Sequence, residues 1–249
     1  MTKTVGSTKR GKHTLAIDIG GTGMKALVLD LRGKPINERV RLLTPRPATP
    51  KAMLRVLKDL VAQQPSFDRV SVGFPGVVED GIVHTAPNLH PLWQGVNLDA
   101  ALTKLTRRPT RTLNDAAIQG LGAMKGRGVE LTITLGTGLG SALFVHGHVI
   151  PLEFGHHPWR QDKTYEEELD DAALKAIGKR KWKRRVLAAI EQWQPIFNPR
   201  FIYLGGGNAR VFEQDELPEN VRIVSNDTGM LGGIALWRTN TGARNRHGG

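Results

Sequence analysis

The chain has 249 residues, of which 23% are charged and 39% belong to the hydrophobic set, a composition typical of a globular protein with a sizeable core. It contains no cysteine, which excludes disulfides, thiolate metal sites and a thiol nucleophile. The net charge of +12 favours an anionic partner without choosing among nucleic acid, anionic lipid, nucleotide and polyphosphate. No apolar run approaches the roughly 20 residues of a membrane helix, and the basic start lacks the apolar region of a signal peptide. We therefore expect a cytoplasmic protein with no membrane partner.

Apolar runs and glycine turns divide the first half of the chain into strands and helices. Residues 1–13 are basic and are predicted to form a flexible tail. The run KALVLDLRGKPI predicts a strand, a turn at Arg32 and Gly33, and the start of a second strand. The elements predicted up to residue 126 are a strand at 15–20, this hairpin at 25–36, a helix at 50–63, a strand at 69–76, a helix at 97–106, a strand at 111–115 and a helix at 116–126.

The second half of the chain has a similar order of elements. Residues 130–150 predict two strands joined by a glycine turn, followed by a hairpin at His146 and Gly147. Residues 200–213 predict a strand, a glycine turn and a helix. The remaining predictions are helices at 164–176 and 180–197, a strand at 220–227, a helix with small residues for close packing at 229–237, and a disordered tail at 239–249.

The order strand, hairpin, helix, strand in residues 14–74 recurs in residues 130–204. Each copy opens with an apolar strand that ends in a glycine turn, IDIGGTG in the first and ITLGTGLG in the second. This pattern predicts an internal duplication in the α/β class, with two similar α/β domains around a cleft. The predicted domains are residues 14–114 and 115–227, and a C-terminal helix at 228–238 is expected to return to the first domain.

The first two glycine turns have the residue types of phosphate-binding loops. In the first, Gly20, Gly21 and Gly23 let backbone N–H groups approach an anion, and Thr22 adds a hydroxyl donor. Asp18, at the end of the strand, is placed to hold Mg²⁺, and Lys25 could reach the phosphates. The second turn, Gly136 to Gly140, offers Thr137 and Gly138 in the same way. Each turn by itself is equally compatible with an ordinary tight hairpin.

The third turn joins a strand to a predicted helix and consists of Gly205, Gly206, Gly207 and Asn208. Glycines at a helix N-terminus suit a nucleotide or a phosphate. The alternative is a dinucleotide-binding loop, but Arg210 stands where that motif requires Gly or Ala, and no GxxxxGK[ST] sequence occurs in the chain.

These motifs resemble those of a known family. The segments IDIGGTGMKALVLD, LNDAAIQGLGAMKG, ITLGTGLGSALF, EFGH and YLGGGNA are similar to those of the ROK sugar kinases, and within that family to the polyphosphate glucokinases, over residues 14–237. The resemblance implies the actin-like, ribonuclease H-like ATPase fold and a homodimer. It also implies transfer of a phosphoryl group, with Mg²⁺, from polyphosphate or ATP to the 6-hydroxyl of glucose or a related hexose.

The same resemblance assigns the sugar site. Asp115 is implied to be the catalytic base that accepts the proton of the sugar hydroxyl, with Asn114 beside it. The other implied sugar contacts are Gly76, Asn88, Glu153 and His156. Without the family context, Asn114 and Asp115 would be interpreted as a helix N-cap pair, and Asn88 as a turn residue after proline.

The sequence departs from the family's pattern after the EFGH motif. Many members bind a structural zinc there through a cysteine cluster, which this chain lacks, so no zinc site is expected. A second glutamate near the sugar comes from that cluster segment in other members and has no aligned counterpart here.

A cluster of cations lies at 179–185, in the first turns of a predicted helix. Because cations oppose the helix dipole there, the cluster is either a polyphosphate site or a solvated basic face. Three other functions compete with the glucose kinase. They are a ROK kinase for mannose, fructose or an N-acetylated sugar, a repressor, and a non-catalytic sugar- or nucleic-acid-binding protein. About a dozen residues precede the first strand, too few for a helix-turn-helix domain, and nucleic acid would leave the glycine turns unexplained.

Overall fold

The computed structural model describes residues 12–225 and 227–238. Residues 1–11, 226 and 239–249 lie outside the described residues, and with them nearly all of the predicted basic tail and all of the predicted disordered tail. None of the helices in the described ranges is long and apolar enough to cross a membrane.

The first half of the chain builds a five-stranded sheet in the order β3-β2-β1-β4-β7. Strands β1, β4 and β7 are parallel, and β2 and β3 are antiparallel to their neighbours. The elements are β1 (Thr14–Ile19), β2 (Gly23–Leu29), β3 (Val40–Leu43), α1 (Pro50–Ala62), β4 (Arg69–Phe74), β5 (Val78–Glu79), β6 (Ile82–Val83), α2 (Leu98–Thr106) and β7 (Thr110–Asn114). One apolar core lies between this sheet and its helices, where Met53, Leu57 and Leu60 of α1 are buried.

The predicted second strand of the first hairpin begins later than expected. Gly33 makes the tight turn with φ +83°, but a single bridge between Leu29 and Pro35 follows it, and the ladder with β2 resumes only at Val40. Proline has no N–H to donate to a ladder. The side chain of Asn37 instead accepts a hydrogen bond from Val28 N at 2.8 Å, which replaces one backbone pairing.

Helix α3 (Asp115–Ala123) follows β7 directly and lies between the two halves of the molecule. Asn114 caps it, since its Oδ1 accepts hydrogen bonds from Ala116 N at 2.8 Å and Ala117 N at 3.2 Å. Its small residues permit close packing, because a Cβ on Gly120 would lie 2.4 Å from the ring of Phe144.

The second half of the chain builds a sheet of the same topology, in the order β10-β9-β8-β13-β14. Strands β8, β13 and β14 are parallel, and β9 and β10 are antiparallel to their neighbours. The elements are β8 (Val129–Leu135), β9 (Leu139–Val145), β10 (His148–Leu152), β11 (Pro158–Arg160), β12 (Lys163–Thr164), α4 (Tyr165–Leu169), α5 (Asp171–Ile177), α6 (Lys179–Phe197), β13 (Phe201–Gly205) and β14 (Val221–Ile223). The predicted internal duplication is therefore confirmed.

The predicted helix at 164–176 is two short helices. Asp170 ends α4 and caps α5, where its side chain accepts a hydrogen bond from Ala173 N at 2.7 Å. The break also lets Asp171 N donate to Gly136 O at 2.7 Å. A continuous helix would direct that N–H to its own backbone, so the break ties the second glycine turn to α5.

The helix predicted after Gly205 to Asn208 does not form. A single 3₁₀ turn, Ala209–Val211, follows the glycines, and Phe212 is extended with φ −92° and ψ 147°. Phe212 is buried and packs against Trp182 of α6, with ring centroids 5.9 Å apart. Burial of this ring holds the chain in an extended conformation where the local sequence favours a helix. The glycines of the third turn are therefore not followed by a helix N-terminus.

Helix α7 (Asp227–Ala235) packs against α3 and against the first sheet. Ser71 Oγ on β4 donates to Gly233 O at 2.6 Å, and Trp237 Nε1 donates to Ser71 Oγ at 2.9 Å. A Cβ on Gly232 would lie 1.7 Å from Ile118 O, so only glycine permits this helix crossing. The domain boundaries themselves stay a prediction.

Candidate active site

A cleft of about 530 Å³ lies between the two sheets, with the first two glycine turns facing each other across it. A smaller cavity of about 320 Å³ adjoins it and shares Lys25, Asp115, Thr134 and Gly206 in its wall. Most of the predicted site residues line the larger cleft: Gly20, Gly21, Thr22, Gly23, Lys25, Gly76, Asn88, Asn114, Asp115, Thr137, Gly138, Glu153, His156 and Gly206. Asp18 and Gly207 line the smaller cavity.

The first glycine turn is held in shape from below. Gly20 N donates to Gly23 O at 3.0 Å, and the buried Thr44 donates its hydroxyl to Gly20 O at 2.5 Å. Beside the turn, Lys25 Nζ on β2 lies 3.1 Å from Asp18 Oδ2 on β1. Both residues of this ion pair line the smaller cavity.

The second glycine turn is built around a side chain from α4. Leu139 N donates to Glu166 Oε2 at 2.9 Å. A Cβ on Gly138 would lie 2.5 Å from that carboxylate oxygen and 3.5 Å from Asn88 Nδ2. The backbone O of Asn88 is in turn 3.4 Å from where a Cβ on Gly21 would lie. Asn88 therefore lies between the two turns, and the missing side chain at Gly138 leaves room for the carboxylate of Glu166.

Asp115 is the first residue of α3 and lies at the floor of the cleft, half-buried. Its Oδ1 accepts a hydrogen bond from Ala116 N at 2.7 Å. Asn114 beside it is buried, and its Nδ2 donates to Gly76 O at 3.2 Å. Gly76 has no room for a side chain, because a Cβ there would lie 2.0 Å from Thr85 O. Asn114 thus positions Asp115 and ties the Gly76 turn to the same point.

Two carboxyl groups of this cleft, those of Asp115 and Glu153, have raised pKa values. Burial, followed by the charge of Asp18, raises the pKa of Asp115 to about 6. Burial, followed by the charges of Asp115 and Glu166, raises the pKa of Glu153 to about 7. Perturbed carboxylates of this kind in a cleft are a mark of a functional site.

Sequence reasoning missed Glu166, which lines the cleft with Glu153 and His156. Its Oε1 is 3.9 Å from His156 Nδ1. The signal was the run of glutamates after Thr164, which forms a capping box with Glu167. Within that run Glu167 caps the helix, and Glu168 is buried in an ion pair with Arg185 at 2.9 Å. Glu166 alone faces the cleft, and spacing in the sequence could not separate these roles.

The third glycine turn is explained in large part by packing. A Cβ on Gly205 would lie 2.2 Å from Gln119 Oε1, and one on Gly206 would lie 2.2 Å from Leu135 O. Asn208 N donates to Leu135 O at 3.0 Å. Gly206 and Gly207 reach the cavities, but Gly205 and Asn208 line neither of the two.

The donor set beside the first turn suits a magnesium ion. No group of three or more His, Asp or Glu side chains able to hold a metal exists within residues 12–225 and 227–238. Mg²⁺ in phosphoryl-transfer sites typically takes one or two carboxylates, with substrate phosphates and water completing its shell. Asp18, which lines the smaller cavity beside the first glycine turn, meets that requirement with a single carboxylate.

The basic helix α6 contributes no residue to the wall of either cavity. Lys183 and Arg185 are engaged with Glu216 and Glu168 in ion pairs. Lys181 and Arg184 are exposed.

Two duplicated sheets of this topology, with facing glycine turns and a carboxylate between them, define a phosphotransferase of the sugar kinase type. Residues 14–162 match the ROK family. The chain is 33% identical over 223 residues to a polyphosphate glucokinase of Mycobacterium tuberculosis, which covers 84% of this chain and 82% of that protein. It is 34% identical over 252 residues to a polyphosphate glucokinase of Mycobacterium leprae, covering 92% of this chain and 75% of that protein.

The crystal structure of an inorganic polyphosphate/ATP-glucomannokinase from Arthrobacter sp. strain KM superposes with a TM-score of 0.79 at 30% identity, over 92% of this chain and 100% of that chain. The chain belongs to the ROK family and has the actin-like fold of its sugar kinases. The family, the fold and the enzyme class expected from the sequence are confirmed.

Proposed function

We propose that this protein transfers a phosphoryl group from polyphosphate or ATP to the 6-hydroxyl of glucose. The observation that carries the proposal is the position of Asp115. Its carboxylate lines the same cleft as the two glycine turns and as Glu153, His156 and Glu166, and its charge contributes to the raised pKa of Glu153. One cleft thus contains a phosphate-binding type of turn, a carboxylate and a group of side chains suited to sugar hydroxyls.

The sugar occupies the larger cleft in this proposal. Glu153 and Glu166 accept hydrogen bonds from neighbouring hydroxyls, and His156 shares one of them as donor or acceptor. Asn88, which lies between the two glycine turns, contributes a further polar contact to the sugar. Asn114 acts mainly by positioning Asp115, because its amide is already bonded to Gly76 and to the start of α3. Several fixed polar groups around one hexose give orientation, on which phosphoryl transfer chiefly depends.

In the transfer itself, Asp115 accepts the proton of the 6-hydroxyl as the oxygen bonds to the terminal phosphorus. The bond from that phosphorus to the bridging oxygen breaks, and the shortened polyphosphate or ADP leaves with the electron pair. Backbone N–H groups of the two glycine turns and the ammonium of Lys25 face the charge that develops on the phosphoryl oxygens. Asp18 would hold Mg²⁺, which when bound would neutralise charge on the donor phosphates, and Asp115 would remain free to take the proton.

The relatives favour this assignment over other hexose kinases, since two named polyphosphate glucokinases match over most of the chain. Mannose is the second candidate acceptor, because the Arthrobacter neighbour is named a glucomannokinase. Both sugars have the same 6-hydroxyl chemistry, so the proposed transfer step is the same for either one.

The test is a coupled assay for glucose 6-phosphate with Mg²⁺, offering polyphosphate and ATP separately, and with mannose as a second acceptor. Asp115→Asn is expected to lower kcat about 10²–10⁴-fold with either donor, the usual contribution of a general base. Asp59→Asn, an exposed carboxylate on α1, is the matched control and should retain full activity. Wild-type protein that phosphorylates neither hexose from either donor would disprove the proposal.

A further inference from the structure

The first sheet carries a row of charges that runs from the smaller cavity to the outer edge of the sheet. Asp18 on β1 pairs across the ladder with Lys25 on β2, and Lys25 pairs with Arg41 on β3. Directly opposed residues in antiparallel strands point to the same face. Strand β3 is the outermost strand of this sheet, so the row ends where the cleft meets solvent.

Arg41 lies over the first glycine turn. A Cβ on Gly23 would be 2.8 Å from Arg41 Nε and 2.9 Å from Arg41 Nη2. The absence of a side chain at Gly23 therefore makes room for a guanidinium group, in addition to allowing the turn itself. A guanidinium is a planar fork that binds phosphate oxygens in pairs.

Two further arginines extend this cationic surface. Arg39 is two residues before Arg41, on the same side of the chain, and lines the smaller cavity. Arg46 lines the larger cleft. It follows Thr44, whose side chain and backbone are both bonded to the first glycine turn. We call Arg39, Arg41 and Arg46 the edge arginines.

The edge arginines are exposed, and within the described part of the chain none of them has an acidic partner within ion-pair distance. The carboxylate of Asp18 is already engaged by Lys25. Like charges opposed across a ladder, as Lys25 and Arg41 are, destabilise a sheet. An anionic ligand bound along the row would neutralise these positive charges, and relief of their repulsion would favour binding.

We propose that the edge arginines bind the phosphate residues of a linear polyphosphate that lie beyond the residue being transferred, and lead the chain out of the cleft over strand β3. This inference rests on the proposed function, which places the reacting phosphate at the glycine turns. A nucleoside triphosphate ends after three phosphates, whereas a long polyanion continues to contact cations along its path. The edge arginines are therefore specificity-determining residues for the polymeric donor.

The row differs from the other basic cluster, on α6, in two respects. The edge arginines line the cavities that contain Asp115, and the α6 cations do not. Two of the α6 cations are already paired with glutamates. The basic residues of α6, the alternative location for the polymer, therefore do not contact the cavities where the reaction is proposed to occur.

The experiment compares two variants that each remove three positive charges. One is Arg39→Gln/Arg41→Gln/Arg46→Gln, and the matched control is Arg180→Gln/Lys181→Gln/Arg184→Gln on α6. Binding of fluorescently labelled long-chain polyphosphate is measured by anisotropy, and KM is measured for long-chain polyphosphate, tripolyphosphate and ATP. Thermal unfolding of each variant checks the fold, and a triple Arg→Lys variant retains the charge while losing the forked geometry.

Loss of the edge arginines is expected to weaken binding of long-chain polyphosphate about tenfold or more, and to lower the ratio of kcat/KM for that donor over ATP by a similar factor. The dependence of binding on salt concentration should weaken, because fewer cations contact the polyanion. The Arg→Lys variant should recover part of the binding. The α6 variant should change KM less than about twofold, as screened surface charges away from a site typically do.

Equal loss with all three donors would show that these arginines serve the glycine turns alone, and would overturn the proposal. Loss confined to the α6 variant would place the polymer on that helix instead. Wild-type protein that fails to bind long-chain polyphosphate would also overturn it. If the wild type binds the polymer but phosphorylates no hexose, the proposed function fails, and the anisotropy measurements still decide whether the edge arginines hold the polymer.

Discussion

Replacing Asp115 with asparagine should make the protein more stable while it removes activity. The pKa of Asp115 is raised from 3.8 to about 6, first by burial and then by the charge of Asp18. Well below pH 3.8 the carboxyl is protonated in both the folded and the unfolded state, so its ionisation does not change the free energy of unfolding. As the pH rises from about 4 to 6, the unfolded state ionises first and stability is lost.

The size of this cost follows from the shift in pKa. About two units correspond to roughly 3 kcal/mol at pH 7.5, since each unit is worth ~1.4 kcal/mol. Burying the polar amide of asparagine also destabilises the folded state, which offsets part of the stability gained by removing the charge. We therefore expect a net gain of about 1–2 kcal/mol in the free energy of unfolding. For a chain of this size that is roughly 2–8 °C in Tm. Asparagine Oδ1 still accepts the hydrogen bond from Ala116 N, so the start of α3 is retained.

The assay is urea unfolding of the wild type, Asp115→Asn and the exposed control Asp59→Asn, at pH 4 and at pH 7.5. The gain for Asp115→Asn should be large at pH 7.5 and small at pH 4, and Asp59→Asn should show no gain at either pH. A variant at position 115 that is equally or less stable than the wild type at pH 7.5 would refute the reasoning, because the carboxylate would then not be desolvated in the folded protein.

Three further predictions follow from the same structure. Activity should fall as the pH drops through about 6, where Asp115 gains a proton and can no longer act as a base. Asp18→Asn should move this acidic limb of the pH–rate profile to lower pH, because the charge of Asp18 raises the pKa of Asp115. A limb that does not move would contradict that electrostatic effect. Glu166→Gln should raise KM for glucose about tenfold, because it replaces a charged acceptor with a neutral one, while Glu167→Gln in the adjacent cap should leave KM unchanged. Gly232→Ala should cost about 3 kcal/mol or more, since its Cβ would overlap Ile118 O, whereas Gly233→Ala in the same helix has its nearest contact at 3.5 Å and should change Tm little.

Local patterns in the sequence were sufficient for the fold class and the glycine turns, whereas the candidate sugar-site residues came from the resemblance to a known family. The repeated order of strand, glycine turn, hairpin and helix predicted two similar halves, and the two sheets have the same topology. The helix at 50–63 was predicted from its apolar spacing and is observed at Pro50–Ala62. These features depend on residues close together in the chain, so their physical causes, turn geometry and periodic burial, can be identified from the sequence.

The sequence did not reveal features that depend on contacts between distant segments. Burial of Phe212 against Trp182 decided that no helix follows the third glycine turn. Of three consecutive glutamates, Glu166 is the one that faces the cleft, because it accepts a hydrogen bond from Leu139 N.

By itself, the sequence determined the α/β duplication and the glycine turns, because each depends on a short run of residues, and the resemblance of those runs to a known family implied the candidate base. Tertiary structure alone decided which side chains meet across the cleft and how burial raises the pKa of Asp115 to about 6 and that of Glu153 to about 7. It also decided that Arg41 lies over Gly23, in space left open by the missing side chain. Distances between segments far apart in sequence, and the desolvation that accompanies them, arise only when the two halves pack together.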